Sequence, residues 1–332
     1  MLRLLLSFFA AMAATVLLLP WSMAVTFVFI AGISFGLVES SISTFVLLAA
    51  KEQQAIAFSK LEVFFGVGAL IMPLISSVLI AAGAWKYAFL LLGGSSLAMA
   101  VIWSKLSLGE HDQLLAHKAK RDQPSVKLPR LSKRALAVLL MFMFVFFVYA
   151  GMENTIVNFL PSMFKEQMQL SSSMSSLTVT AYWLTMVIGR IFAGVIAEKL
   201  TYFRYLAVSY ALSLLMVLWW VFNSSAWSGF AIVLLLGLFM SGMFAVALIY
   251  ANQLLPGRTE QTTSFLIASG GLGGAVLPLA SGWSLDRFHV SATVSAIAVG
   301  MLVVLLVVLY AKRLKEHPQT AIPLQTAEQH GA

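Results

Sequence analysis

Four ionisable side chains, Glu39, Glu62, Glu153 and Arg190, stand within or beside long apolar runs of this 332-residue sequence. A charge at the centre of a bilayer costs ~2.5 kcal/mol or more, so each needs a partner, a cavity or a task. Glu39 shares a helical stripe with Gly32, Gly36 and Ser43, at i, i+4, i+7 and i+11 spacing. A stripe of such small residues either packs against a neighbouring helix or lines a cavity. Burial disfavours the charged form of a carboxyl, which suits an acid that takes up and releases a proton. The other reading of Glu39 is a hydrogen bond to a neighbouring helix.

Glu153 lies in the run Tyr149 to Pro161, in which Tyr149 and Glu153 are one turn apart, as are Asn154 and Asn158. The two pairs are offset by about 100° around the helix. A ring, a carboxylate and two amides on adjoining stripes suit a polyhydroxylated solute, or else form an interhelical hydrogen-bond seam. Gly151 and Pro161 predict a bent or broken helix here. Trp183 and Tyr182 offer faces for stacking on a sugar, or serve packing alone. Asn252 and Gln253 predict a polar patch near the inner mouth, and Glu62 beside Lys60 reads as an interfacial ion pair or a coupling group.

Little else in the sequence could do chemistry. Cysteine is absent, and the histidines (His111, His117, His289, His317 and His330) fall in polar segments. No metal site, cofactor or enzymatic activity is therefore expected.

The elements that position these groups follow from composition. The chain is 60% hydrophobic and 10% charged, with a mean hydropathy of +0.92. A soluble domain carries about a quarter charged residues, so lipid must be the main solvent. Ten stretches are long enough to cross a bilayer: 2–18, 22–49, 61–83, 85–104, 135–162, 173–197, 203–222, 227–254, 262–284 and 290–311. The reading is an all-α membrane protein of about ten transmembrane helices. Residues 1–104 form a four-span half, 105–134 a polar linker, 135–311 a six-span half and 312–332 a tail. Seventeen of the 21 lysines and arginines fall on the side shared by the N-terminus, linker and tail. That bias predicts cytoplasmic termini, and it makes the net charge of +8 a topology signal, with no nucleic-acid partner expected.

The two halves repeat. GVGALIMPLIS at 66–76 matches GLGGAVLPLAS at 271–281, an offset of 205 from Gly66 to Gly271. The same offset pairs Gly32 with Gly237, Gly36 with Ser241 and Glu39 with Phe244. The opening run, with Ala11-Met12-Ala13, could pass for a signal peptide. It pairs instead with 207–223 and is read as a genuine span. Two parallel halves of this kind are the major-facilitator pattern. The offset places the mates of the spans at 135–162 and 173–197 before Met1, an expectation of two further spans, roughly 70 residues.

Gly189-Arg190-Ile-Phe-Ala-Gly194-Val-Ile-Ala-Glu198-Lys199, followed by Arg204, resembles the loop motif of the major facilitator superfamily, G-x-x-x-[DE]-[KR] and a later basic residue. That resemblance implies a cytoplasmic gate built from Arg190, Gly194, Glu198, Lys199 and Arg204. Gly36-Leu-Val-Glu39, Ser59-Lys60-Leu-Glu62-Val-Phe-Phe-Gly66, Tyr149-Ala-Gly-Met-Glu153 and Asn158-Phe-Leu-Pro-Ser162 resemble the fucose–galactose–glucose:proton symporter branch, the glucose/mannose:proton symporters most of all. The resemblance implies proton-coupled hexose uptake by alternating access in the bacterial inner membrane, with Glu39 at the family's fourth-span coupling glutamate and Glu153 a second coupling candidate. Tyr149, Asn154, Asn158, Trp183, Asn252 and Gln253 are the residues expected to bind substrate. An efflux carrier of the same fold for amphipathic compounds, and a truncated membrane protein that does not transport, are the competing readings.

Overall fold

The computed structural model describes residues 2–15, 21–50, 53–106 and 131–314. Most of the expected linker and tail, 107–130 and 315–332, therefore lie outside the described residues. What is described is helical, without strands. The helices are α1 (Leu2–Thr15), α2 (Trp21–Ala49), α3 (Gln54–Ala81), α4 (Tyr87–Lys105), α5 (Lys133–Met168) and α6 (Ser172–Leu200). They continue with α7 (Tyr202–Val221), α8 (Ala226–Met240), α9 (Met243–Leu254), α10 (Thr259–Arg287) and α11 (Val290–Ala311). Lipid offers the backbone no hydrogen bonds, so helices that satisfy their own N–H and C=O groups are the stable way across. Nine membrane-crossing segments are long and apolar enough among the described residues, with α8 and α9 counted as one, and α1 is a shorter apolar helix.

Local signals set several ends. The Ser132 hydroxyl accepts from the Ala135 N–H at 3.1 Å and opens α5, and Ser171 caps α6 through Met174 at 3.3 Å. The helix α5 closes on Gln169 in the left-handed region, at φ 54°. The third helix begins seven residues earlier than its hydropathy suggests, because Gln54 to Lys60 adds about two turns that bury Ala55 and Phe58.

The expected break in α5 is corrected. This helix runs unbroken from Lys133 to Met168 through both Gly151 and Pro161. The interruption falls instead in the span 227–254, at Ser241–Gly242, where α8 gives way to α9. Partners from other helices stabilise the opened carbonyls there. Tyr149 Oη donates to Met240 O at 3.3 Å, and Arg190 Nε donates to Ser241 O at 3.4 Å. Gly242 is needed at the break because a Cβ there would meet the Tyr205 hydroxyl and the Ala193 methyl.

The repeat is visible in the packing. Helix α1 packs on α2 and α4, and its mate α7 packs on α8 and α11. The most extensive contact joins α5 to α10, where Gly273 meets the Phe147 backbone with no room for a Cβ. The two groups of helices, α1–α4 and α5–α11, meet chiefly through α3 against α6 and α2 against α10. One large core cluster fills the second group and reaches Leu47, Ala55 and Phe58 of the first.

Candidate functional site

Where the two groups meet they enclose a cavity of about 890 Å³. Its wall takes Gly32 to Ser40 from α2, Glu62 and Phe65 from α3, and Ala150, Glu153 and Asn154 from α5. Arg190 of α6, Phe244 of α9 and the Ser264–Ala275 stretch of α10 complete it. All four ionisable residues singled out in the sequence thus face one space. They arrive there because each sits on the small-residue or inward stripe of its helix, and mid-bilayer charge is tolerated only toward such a space. The repeat-related positions Glu39 and Phe244 line the same cavity from opposite groups, so the pseudo-symmetry holds for position while the chemistry differs.

Arg190 and Glu62 form an ion pair across the groups, Nη2 to Oε2 at 3.1 Å, and Nη1 also donates to the Glu62 carbonyl at 2.9 Å. The guanidinium is buried, 3% exposed, and lies over the rings of Phe65 and Trp183 at 5.5 and 5.7 Å. A planar, delocalised cation with several donors fits this double environment as an ammonium would not. The expected pairing of Glu62 with Lys60 is corrected, since Lys60 is exposed and Arg190, 128 residues away, holds Glu62. Among the described residues, Glu39 and Glu153 face the cavity with no ion-pair partner. Glu153 Oε1 is buried with no hydrogen-bond partner among the described residues, a condition rare in folded proteins unless a proton, solute or water completes it.

The other expected site residues divide. Asn154 lines the cavity, its amide donating to Ala150 O at 2.8 Å, while Asn158 on the same stripe is exposed and off the wall. Tyr149 is buried behind the wall, edge-on to Tyr210 with centroids 6.4 Å apart. Trp183 stands behind Arg190, tilted on Phe65 at 6.1 Å. Asn252 is buried, donating to Leu248 O at 2.9 Å and Thr263 Oγ1 at 3.2 Å, and Gln253 is exposed; neither lines the cavity. In the expected gate, Gly194 packs directly on the Ala55 carbonyl and the Ile56 Cα. Glu198 accepts from the Ile56 N–H at 3.4 Å, near the start of α3. Lys199 and Arg204 are exposed, and Arg190 lies two turns deeper, in the cavity wall.

Sequence reasoning missed the contribution of α10. Gly270, Gly271 and Gly274 read as packing glycines, yet they line the cavity, while Gly273 alone among them makes the close approach. Ser264, also on the wall, shares a 3.0 Å hydrogen bond with Ser40. Among the described residues, the polar bonds between the two groups lie on the side of the cavity nearer Leu2 and Leu314, the two ends of the described chain: Ser40–Ser264, Ile56–Glu198 and Arg190–Glu62.

Two helical groups around a charged, central cavity define a membrane solute carrier. The chain belongs to the Major Facilitator Superfamily, whose family model matches residues 1–163 and 142–330, and this is a family of transporters rather than of enzymes. Among characterised relatives, the glucose/mannose transporter GlcP of Bacillus subtilis (strain 168) is 28% identical over 278 residues, covering 80% of this chain and 67% of that one. The fosmidomycin resistance protein of Escherichia coli (strain K12) is 25% identical over 240 residues, covering 70% and 57%. The second alignment thus spans little more than half of that relative's length. Among solved structures, the transporter FucP in its outward conformation superposes with a TM-score of 0.75, covering 93% of this chain and 81% of that one at 16% identity. At that identity the likeness speaks for the fold.

Proposed function

We propose that this protein is a proton-coupled hexose uptake carrier working by alternating access. The observation that carries the reading is the convergence of Glu39, Glu62, Glu153 and Arg190, from both helical groups, on one cavity. Glu39 is the proton carrier in this reading: it is intramembrane, without an ion-pair partner among the described residues, and on the cavity wall, where a carboxyl can load from one side and discharge to the other. Glu153 and Asn154 offer acceptors and a donor to sugar hydroxyls, and Phe65, Phe244 and Phe265 offer apolar faces to the ring. Arg190–Glu62 is the cross-link that must break when the halves rock. The similarity to a glucose/mannose transporter and the FucP-like fold, a fucose:proton symporter in E. coli, support this substrate class and coupling ion.

In the same proposal residues 1–104 and 135–311 are the moving halves, joined by the 105–134 linker, and both termini and the 312–332 tail are cytoplasmic in a bacterial inner membrane. The bonds that join the groups then lie on the cytoplasmic side, so the described state faces outward. Gly194, Glu198, Lys199 and Arg204 belong to its inner gate. A second reading, efflux of amphipathic compounds, draws on the apolar wall of Ile33, Phe35, Leu37 and Ile267 and on the fosmidomycin-resistance relative.

The test is uptake of labelled glucose and mannose in a sugar-transport-deficient bacterium, with and without a protonophore. It is run on this chain and on a version extended upstream by two spans. Accumulation that the protonophore collapses supports the proposal. Hexose-insensitive extrusion of a hydrophobic compound favours efflux, and no flux from either protein, with both in the membrane, defeats carrier function.

A further inference from the structure

A second cavity, of about 870 Å³, opens far from the first, at the opposite end of the bundle from Leu2 and Leu314. It lies among the end of α5 (Glu166), the α7–α8 turn (Val221 and Phe222) and the α10–α11 turn with the start of α11 (Leu285 to Ser295). Its wall carries charges of both signs. Glu166 and Asp286 supply two carboxylates, Arg287 a guanidinium, and His289, Ser291 and Ser295 further polar groups. None of these side chains forms an ion pair or hydrogen bond with another among the described residues. Opposite charges that share a groove without pairing leave both signs available to a ligand that carries both.

The level of the groove identifies the source of such a ligand. Exposed Trp85, Tyr87, Trp227, Trp283 and Phe288 all lie at this end of the bundle, the belt that marks a membrane–water interface. Arg287 is held over the Trp283 ring at 5.5 Å, and Trp283 meets Phe288 edge-on at 5.8 Å, so the cation is fixed at the groove's rim within that belt. Phe222, 85% exposed, and Ala292 supply an apolar side along which an acyl chain can descend.

We infer that this groove binds the headgroup of a zwitterionic aminophospholipid, a phosphatidylethanolamine, in the leaflet opposite Leu2 and Leu314. The primary ammonium sits between Glu166 and Asp286, where its three N–H donors are all usable. The phosphodiester sits against Arg287, with the hydroxyls of Ser291 and Ser295 as further donors. Choline lipids carry the same charges but have no N–H to donate, and glycerol lipids have no cation for the carboxylates. The groove thus discriminates by hydrogen bonding as well as by charge. A bound headgroup ties the end of α5 to the α10–α11 turn, holding together the outer end of the helix pair with the most extensive contact in the molecule. The inference stands independently of which solute the central cavity carries.

The experiment is native mass spectrometry of the full chain, released from nanodiscs that contain equal amounts of phosphatidylethanolamine, phosphatidylcholine and phosphatidylglycerol. Wild-type protein is expected to retain the ethanolamine lipid about fivefold over each of the others, the size of about one net hydrogen bond. Glu166→Gln with Asp286→Asn should level ethanolamine with choline lipid, and Arg287→Gln should lower retention of both, with Arg287→Lys retaining most of it. Equal retention of the three lipids by wild-type protein overturns the proposal whatever the variants do. So does an unchanged preference in the carboxylate double variant, or displacement of the lipid by millimolar free O-phosphoethanolamine, which would make the ligand a soluble one.

Discussion

Helix α2 and its repeat mate, the α8–α9 pair, begin from the same scaffold and end as opposites. The mate is mostly buried, broken at Ser241–Gly242, and carries Phe244 to the cavity. Helix α2 is continuous, mostly exposed on its outer faces, and carries Glu39 to the matching place. Glycines show the same contrast. A Cβ on Gly237 would collide with the Tyr182 carbonyl and the Thr185 hydroxyl, whereas one on its mate Gly32 would meet nothing within 4 Å. One member of the pair has its shape fixed by close packing, and the other keeps space around an acid. The lesson is that the repeat preserves where a residue points, and function resides in the positions at which the copies disagree.

That contrast can be broken most directly at Glu39. Glu39→Gln is expected to abolish protonophore-sensitive accumulation while leaving sugar exchange in a counterflow assay. Phe244→Glu in that background should not restore it, because the mate position lies in the packed copy. Accumulation unchanged in Glu39→Gln removes this residue from coupling.

A slightly smaller, structural effect is expected at the cross-link. Glu62→Leu leaves Arg190 buried without its carboxylate and should cost about 3–5 kcal/mol, read as loss of monodisperse protein or a lowered Tm. Glu62→Leu with Arg190→Met should recover much of that stability without recovering transport, which separates folding from function. A lower cost in the single variant would show that the cation has a second anion within reach, with Glu153 and Glu39 the groups on the same wall.

The glycine pair sharpens the comparison further. Gly237→Ala is expected to destabilise by about 1–3 kcal/mol through overpacking. Gly32→Ala is expected to be neutral or to stabilise by up to about 1 kcal/mol through helix propensity. Equal Tm changes in the two would mean that the copies are packed alike. The smallest effect belongs to Ser264→Ala, which removes the Ser40 bond, worth about 1 kcal/mol. It should be visible as a modestly faster change of state in single-molecule distance measurements across the halves.

Much of this is legible in the sequence alone. Hydropathy fixes the spans because lipid leaves the backbone no alternative, and the rarity of mid-membrane charge singled out Glu39, Glu62, Glu153 and Arg190. Partnership was less legible. The Arg190–Glu62 pair joins residues 128 apart, and sequence offers only the neighbour Lys60. Nor does a helical wheel reveal which members of two adjoining stripes reach a cavity: Glu153 and Asn154 line it, while Tyr149 turns back toward Met240 and Asn158 is off the wall. The break was misplaced for a related reason. Pro161 and Gly151 weaken α5 locally, but the opening settles where Tyr149 and Arg190 can receive the freed carbonyls, and that is set by neighbours in space.

The placement of bonds between the halves has a consequence in time. With these polar links gathered on the side nearer Leu2 and Leu314, the far side parts without breaking any of them, and the near side does not. The dwell in the described state is then governed by how fast a few contacts let go at one end: an ion pair, a backbone N–H held by Glu198 and a serine pair. A carrier built this way has its clock at one end and its cargo bay at the centre, so its turnover can be retuned without altering what it recognises.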